Sequence, residues 1–212
     1  MKNINYFDLG LGPHPHELQY MINDVLKNFS DISYKAYGID AHPDYVKTAN
    51  NIFNNNNNVE IYNLAISNKK GTEKLYLESN TKNGGLGNSI FKTKNNVDQN
   101  TYLDVQSNKF SSFLQEKNIN LKNSINVLKV NIEGAELYLW EDFKQNDLRK
   151  YFHIICGYKD HDIYKVNELK EKYHYYDSLI KELNIEMVHF CHYGGPDKSI
   201  STMKNSLSKV LC

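Results

Sequence analysis

Short apolar runs that end in Asp, Asn or Gly alternate with stretches of helical periodicity through the first two thirds of the chain, and no other feature limits the possible folds as much. INYFDL (Ile4 to Leu9) reads as a buried strand ending in a glycine turn, and the segment after it places Leu18, Met21, Ile22, Val25 and Leu26 at helical spacing. KAYGID (Lys35 to Asp40) is a second strand, followed by a helix from Asp44 to Phe53 with Asp44 as its cap after Pro43. VEIYNLAI (Val59 to Ile66), EKLYLES (Glu73 to Ser79) and INVLKVNI (Ile125 to Ile132) are further strands, with a short helix at Phe110 to Glu116 and another helix beginning near Ala135. FHIICGY (Phe152 to Tyr158), a polar helix from about Val166 to Leu183 and a last strand at Ile185 to Tyr193 complete the pattern. Repeated strand–helix units of this length imply a parallel sheet covered on both faces, with right-handed crossovers. With 212 residues, no linker and no internal repeat, the reading is one α/β domain over 1–212.

Composition removes several function classes. Lys plus Arg (25) balances Asp plus Glu (25), which lacks the cation surplus needed to blanket phosphates. Arg149 is the single arginine, and lysine cannot supply the planar fork that reads guanine edges, so no nucleic-acid partner is expected. Cys156, Cys191 and Cys212 are scattered and show neither disulfide nor zinc spacing; no metal is inferred, and the thiols suit a reducing cytoplasm. The start of the chain lacks a signal-peptide core, and no apolar run is long enough for a membrane span.

In an open parallel sheet ligands bind beyond the carboxyl ends of the strands, where strand order reverses. The first strand ends in Asp8-Leu9-Gly10-Leu11-Gly12, and glycines at alternate positions let the backbone turn tightly beside a ligand. The second ends in Asp40-Ala41, an acid placed to accept ribose hydroxyls, and the third in Asn63-Leu64-Ala65, whose apolar surface suits an adenine ring. Together these point to a nucleoside-type cofactor. Pro15 stands where a dinucleotide fingerprint needs its third glycine, and no Gly-Lys-Ser/Thr loop exists. S-adenosylmethionine, which carries no phosphate, fits better.

YGIDAHPDYV (Tyr37 to Val46), VEIYNLAISNKKGTEKLYL (Val59 to Leu77), GNSI (Gly87 to Ile90) and VLKVNIEGAEL (Val127 to Leu137) resemble, in order, the FkbM-type family of S-adenosylmethionine-dependent methyltransferases. The likeness runs from Tyr6 to about Phe143 and is most specific over Lys129 to Glu136. The resemblance implies a Rossmann-like class I methyltransferase fold, with a mostly parallel seven-stranded sheet. It also implies O-methylation of a hydroxyl on a sugar, glycan or other small natural product. The family usually has Asp where Asn131 stands, a small residue at His14, an acid at Ser111 and a glutamate at Gly157 or Tyr158. Its members usually carry chain ahead of the first strand, so no N-terminal lid is expected here.

Methyl transfer needs an acceptor oxygen held in line and, for an alcohol, a group that takes its proton. Glu133, directly after the most apolar strand, is the best placed carboxylate; its other reading is an acid beside a helix N-terminus, which is favoured for Glu136. Asn131 can bind an acceptor hydroxyl or the amino-acid end of the cofactor but is no base. Among the histidines His161, between Asp160 and Asp162, is the candidate base. The cofactor set is therefore Asp8, Gly10, Gly12, Asp40, Ala41, Leu64, Ala65 and Asn131, and the catalytic set Glu133, Asn131 and His161. The glycine- and asparagine-rich stretch from Asn80 to Asn100 reads as a mobile loop over the site, Ser89 matching the family's serine there. Two alternatives stay open: a catalytically reduced binding or scaffold module, and a nicotinamide-dependent oxidoreductase.

Overall fold

The computed structural model describes residues 2–80, 85–157, 162–191 and 195–212. In chain order the elements are β1 (Lys2–Leu9), α1 (His16–Tyr20), β2 (Ile32–Asp40), α2 (Pro43–Phe53), β3 (Val59–Asn63), β4 (Ala65–Ile66), β5 (Gly71–Glu78) and β6 (Val97–Asn108). There follow α3 (Phe110–Glu116), β7 (Ile125–Val130), α4 (Glu136–Gln145), β8 (Phe152–Gly157), α5 (Tyr173–Glu182), β9 (Met187–His189) and α6 (Pro196–Leu211).

Six strands form the central sheet in the order β3-β2-β1-β7-β8-β9, and every neighbouring pair is parallel. The chain winds outward from β1 to β3, then returns to lay β7 on the other side of β1. The order therefore reverses between β1 and β7, the place where such sheets open a crevice. Side chains of β1 alternate between the two faces: Ile4 and Tyr6 join the core with α1, α2 and α6, while Phe7 and Leu9 join α3, α4 and α5 on the other side. Burial on both faces explains why these strands read as continuous apolar runs.

A seventh strand was expected, and among the described residues the central sheet has six. The run taken as the last strand contributes only Met187–His189, and the chain then turns into α6, whose Met203 and Leu207 are fully buried against the sheet. That helix was not read from the sequence, where its apolar positions are diluted by Ser, Lys and Asn. The first helix is also more broken than its periodicity predicts. After α1 comes a π-turn at Met21–Val25 and a 3₁₀ turn at Leu26–Asn28, and the change of winding keeps Leu18, Met21, Ile22, Val25 and Leu26 all buried. The polar helix splits likewise into a 3₁₀ segment at Asn167–Lys172 and α5. The cap of α2 is His42, whose Nδ1 accepts from the Asp44 N–H at 3.2 Å, with Pro43 as the first helical residue.

A second sheet of three strands, β4-β6-β5, stands beside the first. Strand β6 starts at Val97, so the stretch read as loop up to Asn100 ends in a strand instead. Its apolar residues Val97, Leu103 and Val105 are too sparse to announce it. The 88–97 part of the stretch is tied down: Ser89 exchanges two backbone hydrogen bonds with Tyr76, and Phe91 is 2% exposed within the main core. Residues 81–84 lie outside the described residues. No described helix is long and apolar enough to cross a membrane.

Phe110 is the hub of the α3–α5 side, fully buried with ring centroids 5.6 Å from Phe7, 6.1 Å from Phe152 and 6.2 Å from Phe143. Phe110→Ala should lower unfolding free energy in urea by about 3–5 kcal/mol.

Candidate functional site

The reversal point of the sheet carries a cavity of about 700 Å³, a size suited to a small molecule or cofactor. Its floor is the turn after β1. Gly10 and Gly12 have φ of 85° and 67°, and a Cβ on Gly10 would lie 1.8 Å from the Asn131 carbonyl oxygen, so the turn passes where only glycine fits. Gly10 N–H donates to Ile39 O and Asn131 N–H to Leu9 O, both at 2.9 Å, which joins the ends of three adjacent strands.

Beneath the turn lies a buried ion pair. Lys129 Nζ is 2.8 Å from Asp8 Oδ1 and donates to Gly10 O at 2.5 Å, while Tyr6 OH donates to Asp8 Oδ2 at 3.2 Å. Burial pushes the Asp8 carboxyl up to about 6, against the pull of the Lys129 ammonium. Asp8 had been assigned to cofactor contact, but it is 1% exposed and does not line the cavity; it supports the turn from below.

The other cofactor candidates are brought together. Gly10, Gly12, Asp40, Ala41, Leu64, Ala65 and Asn131 all line the cavity. Asp40 Oδ2 accepts from Gly12 N–H at 3.0 Å and Oδ1 from His42 N–H at 2.7 Å. Burial raises its pKa, and these two backbone donors pull it back. A carboxylate has about four lone-pair positions, so both oxygens keep capacity toward the cavity. Asn63 closes this side by donating to Asp40 O and Ala41 O. Ala41, Ala65 and Leu75 pack together as an apolar wall.

The chain leaving β7, which also lines the cavity, makes a strained turn. Glu133 has a left-handed φ of 57° and Gly134 one of 106°. Glu136 holds this turn, its Oε1 accepting from Ile132 N–H at 2.9 Å and its Oε2 from Gly134 N–H at 2.7 Å. Glu136 is thus a local cap, pushed up to about 7 by burial and the nearby Asp162. Glu133 instead reaches the cavity, where its Oε2 lies 2.7 Å from Lys94 Nζ. Burial and Asp162 raise its pKa and Lys94 opposes them. Asp162 pairs in turn with Lys165 at 2.6 Å.

Lys94 escaped the sequence reading, because a single lysine in an asparagine-rich stretch looks solvated. Its side chain is 1% exposed, and it also donates to Asn96 Oδ1 at 2.7 Å and Gly87 O at 3.2 Å. The signal available was Phe91 and Val97 on either side, which draw the segment into the core. Ser89 Oγ donates to Glu133 O at 2.7 Å, fastening the same segment to the strained turn. His161 lies outside the described residues, as does Tyr158; His14 lines the cavity. Ser111 binds Asp142 through its N–H and Oγ, both at 2.7 Å, and ties α3 to α4 away from the cavity. Gly157 stands where a Cβ would come 2.4 Å from Val130 O, so close strand approach forbids a larger residue. Among the described residues no group of three or more His, Cys, Asp or Glu could hold a metal ion.

The model of the methyltransferase FkbM domain matches residues 17–192. No curated protein and no solved structure matches the chain.

Because Glu136 carries a raised pKa only when folded, it takes up a proton on folding between its unfolded value of 4.5 and about 7. Its contribution to stability is therefore fullest below about pH 4.5 and lost as pH rises through 7. Thermal melts should show wild type losing stability relative to Glu136→Gln across that interval as pH increases.

Proposed function

The chain belongs to the FkbM methyltransferase family, and on that premise we propose that it transfers a methyl group from S-adenosylmethionine to a hydroxyl of a sugar, glycan or other small natural product. The observation that carries this reading is the Asp40 carboxylate, hydrogen-bonded to the paired-glycine turn in a cavity that Glu133 also lines. The residues present fit the donor. Asp40 offers acceptor positions to ribose hydroxyls, and Ala41, Leu64 and Ala65 offer an apolar face to adenine. The Gly10–Gly12 turn admits the amino-acid arm without side-chain obstruction; a Cβ on Gly12 would meet only Leu86, at 3.6 Å. When bound, the donor supplies an electrophilic methyl on a sulfonium.

The rest of the mechanism falls to the chain. Asn131 orients the acceptor hydroxyl through its amide, and Glu133, held by Lys94 and raised by burial, takes the hydroxyl proton as it leaves. The cavity walls contributed by β5 and residues 85–96 limit water around the reacting oxygen. Three scattered cysteines, Cys156, Cys191 and Cys212, without disulfide or zinc spacing suit a reducing, cytoplasmic setting. A second reading, a module that binds the donor without chemistry, draws support from the Lys94–Glu133 ion pair, which occupies the proposed base, and from Asn131, which cannot serve as one.

Calorimetry should detect S-adenosylmethionine and S-adenosylhomocysteine but not NAD; binding of NAD alone would overturn the donor assignment. Asp40→Ala should weaken donor binding by about 1–3 kcal/mol. With a glycan panel as acceptors, Glu133→Gln should reduce kcat by about 10²–10⁴ with donor affinity within twofold. Wild-type binding without any methyl transfer would favour the second reading.

A further inference from the structure

Glu78 ends β5 on the cavity wall, and its environment differs from that of Asp40, Glu133 and Asp162 there. Lys94 neutralises Glu133, Lys165 neutralises Asp162, and Asp40 is satisfied by two backbone N–H groups. Glu78 Oε1 receives only a long contact from Asn96 Nδ2, at 3.5 Å. Its Oε2 is buried and meets no hydrogen-bond donor among the described residues. A buried carboxylate oxygen left without a donor is costly, and such a group calls for something to complete it, whether a water, an ion or a bound ligand.

The backbone at Glu78 is nevertheless held in place. Asn88 Oδ1 accepts from Glu78 N–H at 2.8 Å, and Asn88 Nδ2 donates to Tyr45 OH at 3.2 Å. Gly87 lets Asn96 approach: a Cβ there would lie 1.9 Å from Asn96 Nδ2 and 3.3 Å from Glu78 Oε1. Asn96 connects Glu78 to Lys94, and Lys94 to Glu133. An incomplete carboxylate thus stands within one hydrogen-bonded chain of the proposed base.

We propose that Glu78 is a recognition site for an ammonium group of the bound ligand. An ammonium supplies both missing elements, N–H donors and positive charge, whereas a hydroxyl supplies only the first. Two sources present this chemistry, the amino-acid end of the methyl donor and an amine on the acceptor. The proposal rests on the methyl-donor reading for the first source and on a sugar-like acceptor for the second.

The test compares wild type with Glu78→Gln, which keeps the shape and removes the charge. S-adenosylhomocysteine carries the ammonium and methylthioadenosine lacks it. If the donor is the source, Glu78→Gln should weaken S-adenosylhomocysteine at least tenfold and leave methylthioadenosine within twofold. If the acceptor is the source, both nucleosides bind as before. Wild type saturated with S-adenosylhomocysteine should then bind glucosamine at least fivefold more tightly than glucose, and Glu78→Gln should erase that preference. Equal behaviour of the two proteins in every comparison, or an equal loss of both nucleosides, overturns the proposal. Failure of wild type to bind either nucleoside overturns the methyl-donor reading instead. The glucosamine–glucose comparison is then made on the protein alone, and absence of a Glu78-dependent preference there overturns this proposal too.

Discussion

The ion pair between Lys129 and Asp8 carries the geometry of the site. Two adjacent parallel strands each place one charge at the same level, and the ammonium has donors to spare for the Gly10 carbonyl. Burial makes each charge costly alone, so removing one partner leaves the other uncompensated. The pair therefore couples the turn to the centre of the sheet. Gly10 and Gly12 present their backbone at one height above β1, and Asp40 can reach the Gly12 N–H only because that height is fixed.

Much of this was legible in the chain. Glycines after an apolar strand, an acid at the end of the next strand and small apolar residues after the third each mark a strand end, and the strands are adjacent because consecutive βαβ units pack side by side. Asp8 was expected at the cofactor and lies buried beneath the turn, because sequence does not distinguish a carboxylate at a strand's last buried position from one just beyond it. Lys129 on the neighbouring strand, one inward position before Asn131, was the clue that a partner lay inside. The rest of the lining was far less legible. Lys94, Asn88 and Asn96 come from a stretch whose composition resembles solvent-exposed loop, while Glu78 ends a strand read as such, and the burial of Lys94 follows from a few anchors, Ser89 and Phe91 above all. Contacts between residues distant in sequence leave little periodic trace.

The same contrast separates the two sheets. The central sheet is buried on both faces and its strands are continuous apolar runs, whereas β6 is largely exposed and reads as polar sequence. Helix α6 was hidden for a related reason: it needs only one narrow stripe, with Met203 and Leu207 inward, and the rest of its surface is solvated.

The bond from Ser89 Oγ to the Glu133 carbonyl joins the segment bridged to β5 of the second sheet to the one non-glycine residue in the β7–α4 turn with left-handed backbone. Any displacement of that sheet relative to the main body pulls on a peptide whose torsions are already unfavourable, and so swings the carboxylate. Access to the cavity and aim of the Glu133 carboxylate then behave as a single mechanical degree of freedom, like a door whose hinge also turns the latch.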